Sequence, residues 1–192
     1  MAQALAIAEA RGMTLIDPID DPHVIAGQGT IALEIAADLP SVGSVIVPLS
    51  GGGLFGGLSI GIRALCSSAR LIAVSSAACP AMITSIKAGR PVPVTEHASL
   101  ADSLGGGIGM QNRYTLRLAQ AGIDDSILVD EAAIARAMRH AFHEERLVLE
   151  GAAAAGIAAL EQISHPHGPV VIVVTGDNVD MAAFRSVVDS GP

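Results

Sequence analysis

Five short runs rich in β-branched residues (Thr14–Ile16, Ser44–Pro48, Leu71–Val74, Ile127–Val129 and Val170–Val174) alternate along the chain with longer stretches of helical spacing. Strand-to-strand connections with room for a helix predict an α/β fold: a three-layer open parallel sheet flanked by helices. The run Val170 to Val174 is apolar throughout, as expected of a strand covered on both faces. The spacing predicts helices over Ala2–Ala10, Ile25–Ala37, Gly53–Cys66, Pro80–Ala88, Tyr114–Ala121, Glu131–Glu145, Gly151–Gln162 and Met181–Val188. Asp130 stands where it can cap the helix at Glu131, and Gly12 and Gly122 stand where a left-handed helix end is wanted. Residues 87–109 read as a long loop-rich excursion, and the terminal Ser190-Gly191-Pro192 as a frayed end.

The core implied by this pattern is made of small aliphatic side chains. Hydrophobic residues make up 51% of the 192, yet only 2% are aromatic and none is Trp. That argues against a disordered chain, an antibody-like sandwich and a single-strand nucleic-acid binder, which needs aromatic stacking platforms. A net charge of −8 and a pI near 5.0 disfavour attraction to a phosphate backbone, so no nucleic-acid partner is expected. The mean hydropathy is +0.52, but the longest charge-free helical stretch, Gly151–Leu160, is half of the roughly 20 residues a membrane span needs. Cys66 and Cys79 form no Cys-x-x-Cys pair. With no secretory leader in view, they read as core thiols of a cytoplasmic protein.

The strongest chemical signal is the segment Val45-Ile46-Val47-Pro48-Leu49-Ser50-Gly51-Gly52-Gly53-Leu54-Phe55-Gly56-Gly57. A buried strand runs through small residues into a helix. Glycines allow successive N–H groups to converge, and the helix start adds partial positive charge, which together make a phosphate cradle. Ser50 offers a further hydroxyl donor. The alternative is a tight strand-to-helix turn with no ligand. There is no Walker lysine, and the dinucleotide spacing occurs only by accident within the glycine run. A second glycine cluster, Asp102-Ser103-Leu104-Gly105-Gly106-Gly107-Ile108-Gly109, is either a ligand wall or a mobile surface loop. Thr175 follows the last strand, where its hydroxyl either faces a ligand or caps the next helix. Glu150 abuts the apolar helix at Gly151 and wants a partner there. His140 and His143 share one face of a charged helix that also carries Glu144 and Glu145, and they read as solvated rather than metal-binding. His165-Pro166-His167 reads as a loop before the last strand. No metal site is expected.

Three motifs in order, Asp21 to Glu34 (DPHVIAGQGTIALE), Ser50-Gly51-Gly52-Gly53-Leu54, and Thr175-Gly176-Asp177-Asn178-Val179-Asp180, closely resemble those of the serine/threonine dehydratases. These are pyridoxal-phosphate enzymes of fold type II, the tryptophan-synthase-β fold. The segment Ser99 to Gly109 resembles the hydroxyectoine-utilisation branch. The resemblance runs from about Ile16 to Val188. It implies that Ser50, Gly51, Gly52, Gly53 and Leu54 hold the cofactor phosphate, and that Thr175 hydrogen-bonds the pyridine nitrogen. It further implies that Glu150 lies near the cofactor and that Ser103 lies beside the ring's phenolic oxygen. The implied reaction removes the β-hydroxyl of a small hydroxy amino acid and yields a 2-oxo acid and ammonia.

Two departures matter. In that family a lysine in a Ser-x-Lys-x-Arg-Gly-like motif tethers the cofactor, and a Ser-x-Gly-Asn-type loop grips the substrate carboxylate; neither motif occurs here. The single lysine, Lys87 in Ser85-Ile86-Lys87-Ala88-Gly89, matches no catalytic position, so no catalytic residue is assigned. Ser75 stands where metal-binding relatives carry an acidic residue. Residues 1–192 are therefore expected to be the C-terminal portion of a dehydratase catalytic domain, inactive alone, and either a homo-oligomer or the partner of a complementing N-terminal chain. The rival expectation is a non-catalytic phosphate- or pyridoxal-phosphate-binding subunit.

Overall fold

The computed structural model describes residues 2–163 and 166–190; His165, Gly191 and Pro192 lie outside them. The elements, in order, are α1 (Ala2–Arg11), α2 (Pro22–Gln28), α3 (Thr30–Asp38), β1 (Ser44–Pro48), α4 (Gly53–Leu65), β2 (Arg70–Ser76), α5 (Ala81–Ala88) and α6 (Thr115–Gly122). They are followed by β3 (Asp125–Val129), α7 (Glu131–His143), α8 (Gly151–Ala159), β4 (Val170–Ile172) and α9 (Met181–Val188). The sheet is wholly parallel in the order β3-β2-β1-β4. The chain adds β2 and β3 on one side of β1 and then crosses back to place β4 on the other.

Each strand alternates its side chains between two cores. Val45 and Val47 of β1 and Leu71 and Ala73 of β2 pack with Phe55, Leu58, Ile62, Met82 and Leu116 on one face. Ile46, Ile72 and Val74 pack with Ile134, Met138, Ala154, Ala155 and Phe184 on the other. The aromatic-poor composition follows from this packing. Helix α8 (GAAAAGIAA) is buried nearly all round, and a Cβ on its Gly156 would come within 2.6 Å of Ile172. Only small residues let a helix lie that close to a sheet.

Four expectations need correction. Thr14–Ile16 forms no strand; it is exposed chain between α1 and α2. The helix read over Ile25–Ala37 is two helices that meet at Gly29, whose N–H bonds back to Ile25 and Ala26. Gly122 is inside α6, where it needs to be small because Ser59 of α4 sits 2.6 Å from where its Cβ would be. The ladder of β4 is three residues long and half-buried, because it has a strand neighbour only on the β1 side. Val173 still donates to Ile46, while Val174 is exposed. By contrast, Asp130 caps α7 through the N–H of Ala133, and Gly12 adopts a positive φ of 62°. Cys66 and Cys79 are both free and buried.

One charged junction fastens α4 to the sheet. Arg63 donates to the carbonyls of Ala69 and Gly122 and pairs with Asp124 at 2.5 Å. Asp124 also accepts the N–H of Leu71 at 2.7 Å. Burial pushes its pKa up, but the Leu71 N–H and the Arg63 guanidinium outweigh that and hold it below the usual aspartate range. Its stabilisation is therefore complete above the unfolded pKa of about 4 and is lost as pH falls through the lower folded value. Because the pair is one-third exposed, Asp124→Asn is expected to cost about 1 kcal/mol at neutral pH. The variant should also flatten the acid limb of a urea-midpoint-versus-pH curve. A second expected outcome concerns Gly57, whose Cβ would collide with the backbone carbonyl of Ile25. Gly57→Ala should lower the unfolding free energy by about 2–3 kcal/mol in chemical denaturation.

Candidate active-site cleft

β1 ends at Pro48, and the chain passes through Leu49 and Ser50 into the glycine run before α4 begins at Gly53. Gly51, Gly52 and Gly53 are buried. Each has its own reason to lack a side chain. Gly52 has φ +94°, and a Cβ on it would meet Met82 and Thr115; a Cβ on Gly51 would meet the Ile19 side chain at 2.5 Å, and one on Gly53 the Ile19 carbonyl at 2.9 Å. Among the described residues, the N–H groups of residues 50–55 form no hydrogen bond. The first helical N–H to form one is that of Gly56, which bonds the Gly52 carbonyl. A helix start always leaves such donors, and buried ones need an acceptor.

These donors open on a cleft of about 300 Å³. Ser50, Gly51, Gly52, Gly53, Leu54, Ser103, Glu150 and Thr175 all line it. Segments up to 125 residues apart in sequence thus converge at the carboxyl ends of β1 and β4, where the strand order reverses and open α/β sheets place ligands. Thr175 does not cap α9, because Asp180 does so through Ala182 and Ala183. Glu150 directly precedes α8 without capping it. Its N–H bonds the Gly176 carbonyl, and its carboxylate lies over Gly176, where a Cβ would meet Oε1 at 2.6 Å. Ser103 sits on a short 3-10 turn, Asp102–Leu104, at the rim. Of the second glycine cluster, Ser103 and Leu104 line the cleft, and the loop is tied to the first glycine run by the Ser50 hydroxyl, which donates to the Gly105 carbonyl at 3.1 Å. That bond corrects one expectation: the Ser50 proton is engaged with the neighbouring loop rather than presented to the cleft.

Sequence reasoning left out Pro18, Ile19, Gln28, Pro48, Phe55, Leu104 and Ala152, which complete the lining. Gln28 reaches the cleft through a close helix contact. It lies between Gly27 and Gly29, and Gly29 meets Gly57 of α4 so closely that a Cβ there would sit 3.0 Å from the Gly57 carbonyl. A glycine-to-glycine contact between two helices draws the residue beside it toward the loop. No sequence signal marks Ile19, because its approach to the glycines is purely tertiary. No Lys or Arg lines the cleft, so the backbone amides and the α4 dipole are its electropositive elements.

The remaining candidates lie elsewhere. Lys87 is exposed in the last turn of α5 and borders a separate hollow with Ile123 and Asp124. His140 and His143 are exposed, and the His143 ring bonds the Val188 carbonyl at the end of α9. Ser75 is buried with a hydroxyl that has no partner. Among the described residues no group of His, Cys, Asp and Glu is arranged to hold a metal ion, and no helix is long and apolar enough to cross a membrane.

A wholly parallel sheet, its crossover from β3 back to β4 and an anion-ready loop at the end of β1 define a fold-type II enzyme framework. Residues 1–176 match the family described as pyridoxal-phosphate dependent enzyme, and the chain belongs to that family. It is 48% identical over 180 residues to a Sinorhizobium fredii protein provisionally named a threonine dehydratase, covering 93% of this chain and 54% of that one. It is 37% identical over 189 residues to the L-threonine ammonia-lyase of Thermotoga maritima, covering 98% and 47%. The processed form of threonine deaminase isoform 2 from Solanum lycopersicum superposes with a TM-score of 0.89 at 29% identity, covering 98% of this chain and 56% of that one. The chain thus spans about half the length of the relatives it matches.

The glycine loop makes a checkable claim about its own geometry. Gly52→Ala places a Cβ at φ +94° and 2.7 Å from Met82 Cε. It is expected to lower stability by about 1–3 kcal/mol in thermal or urea unfolding.

Proposed function

We propose that this chain carries the phosphate- and ring-binding face of a pyridoxal-phosphate-dependent hydroxy-amino-acid dehydratase (ammonia-lyase). The observation that supports this reading is the run of N–H groups at residues 50–55 that form no hydrogen bond, on a largely buried loop that lines one cleft with Ser103, Glu150 and Thr175. Their chemistry fits the group. Several convergent amides at a helix start suit a phosphoryl dianion, and the glycine positions leave no room for a side chain that would fill the cradle. When bound, the cofactor supplies the electron sink for removal of an α-proton and loss of the β-hydroxyl.

The chain's own residues bind and tune. The N–H groups of Gly51, Gly52, Gly53 and Leu54 grip the phosphoryl oxygens. Thr175 offers the ring nitrogen a neutral hydroxyl, which leaves that nitrogen largely unprotonated and favours elimination over transamination. Glu150 and Ser103 border the ring. Nothing in the cleft can tether the cofactor covalently or take the α-proton as an amine base, because the single lysine is exposed on α5. The chain alone is therefore inactive, and activity requires a polypeptide that carries the lysine and the carboxylate-gripping loop. The names of the relatives support a small hydroxy amino acid of the threonine or serine class as substrate, and the Ser99 to Gly109 resemblance adds a hydroxyectoine-derived amino acid as the second candidate. The exposed apolar side chains of the first segment (Leu5, Ile7, Met13, Leu15 and Ile16) support association with that polypeptide or with a second copy.

The test is a titration of the chain with pyridoxal phosphate and with pyridoxal. The phosphorylated form is expected to bind reversibly and more tightly, Gly53→Ala to lose that preference, and borohydride treatment of a Lys87→Arg chain to leave no adduct on any cleft residue in peptide mapping. Equal affinity for both compounds would overturn the cradle, and turnover of serine or threonine by the chain alone would overturn its inactivity.

A further inference from the structure

Asp20 is 7% exposed, and its carboxylate binds a part of the chain more than ninety residues away. Oδ1 accepts the N–H groups of Tyr114 and Thr115, each at 2.9 Å, and Oδ2 accepts that of Arg113 at 2.6 Å. The Arg113 guanidinium is 4.0 Å off and largely in solvent, so it adds little. The three amide bonds are the substance of the contact, and each is strengthened by the carboxylate charge.

The two segments joined in this way are the ones that close on the glycine loop. Ile19, next to Asp20, lays its side chain on Gly51 and its carbonyl on Gly53, while Thr115 packs its Cβ against Gly52. Thr115 is fixed in turn by the Asn112 amide, which donates to its hydroxyl at 2.7 Å. The Asp17 carboxylate folds the approach to Asp20 by accepting the N–H groups of Ile19 and Asp20. Asp20 itself does not line the cleft; it borders the adjoining hollow. Its contacts reach the cleft through Ile19, its neighbour in the chain, and Thr115, whose N–H it holds.

We infer that Asp20 is a positioning residue for the anion site: by clamping Ile19 and Thr115 against Gly51, Gly52 and Gly53, it keeps their N–H groups convergent. The clamp is needed because three successive glycines have wide conformational freedom of their own, so the convergence must be imposed from outside the loop. The ligand named in the test rests on the pyridoxal-phosphate reading above, whereas the effect on the loop does not.

The experiment compares the full wild-type chain with Asp20→Ala, Asp20→Asn and a control, Asp130→Ala, which removes a helix cap on the opposite face of the sheet. Without ligand, ¹⁵N relaxation of Gly51, Gly52 and Gly53 is expected to show order parameters falling from about 0.85 toward 0.6 in Asp20→Ala. They should stay unchanged in the control, even when its thermal midpoint drops as far. Affinity for pyridoxal phosphate should weaken about tenfold in Asp20→Ala, with a much smaller change for pyridoxal. Asp20→Asn keeps an oxygen for Tyr114 and Thr115 but turns a donor toward the Arg113 N–H. It should show a reduced form of the same effect, about threefold, and it decides the matter if the alanine variant does not fold. Unchanged glycine order parameters in a folded Asp20 variant would overturn the inference. A wild-type chain that binds no pyridoxal phosphate, but whose loop loosens in Asp20→Ala, would overturn the cofactor reading alone.

Discussion

Everything in this molecule that concerns a ligand depends on β1 having a parallel neighbour on each side. Val45, Ile46 and Val47 have no exposed surface, and their backbone groups are held by β2 on one side and β4 on the other. A strand fixed in this way delivers its carboxyl end to one place. Because β2 and β4 lie on opposite sides of it, the connections beyond them diverge and leave a crevice between. The glycine run begins in that crevice. Among the described residues its N–H groups form no hydrogen bond, because the chain turns into α4 before any neighbouring strand can supply an acceptor.

The cleft is held together by contacts of very different reach. Ser50 binds the Gly105 carbonyl and so joins the two glycine segments directly. The Glu150 N–H binds the Gly176 carbonyl, which links the start of α8 to the chain after β4. Asp20 reaches three amides at the start of α6. Each is a polar bond at the edge of a hydrophobic core, where partial burial raises the cost of leaving a donor or acceptor unmet. The loops at this end of the sheet therefore form one connected surface.

Much of this was legible in the sequence, for identifiable reasons. β1, β2 and β3 announce themselves by β-branched runs, and α4, α7 and α9 by helical spacing with caps or glycine at their ends. The eight cleft residues named from motifs fall together because those motifs sit at strand ends, where backbone chemistry is written in glycine and hydroxyl residues. Tertiary context was not legible. The break at Gly29 comes from the close approach of Gly57, which no local pattern encodes. Val170–Val174 reads as a strand covered on both faces, yet its ladder is half-buried at a sheet edge. Thr14–Ile16 has strand composition and no strand to pair with. Asp20 resembles any turn aspartate until Arg113, Tyr114 and Thr115 are brought to it.

The cleft walls contain no ammonium or guanidinium group, which bears on how an anion would be held there. Surface clusters of basic side chains attract anions from a distance and lose that pull as ionic strength rises. Amide dipoles at a helix start act over a few ångströms, in directions set by the backbone, so dissolved ions weaken them less. Such a site would choose its guest by the placement of oxygens more than by total charge, and it would keep doing so in brine.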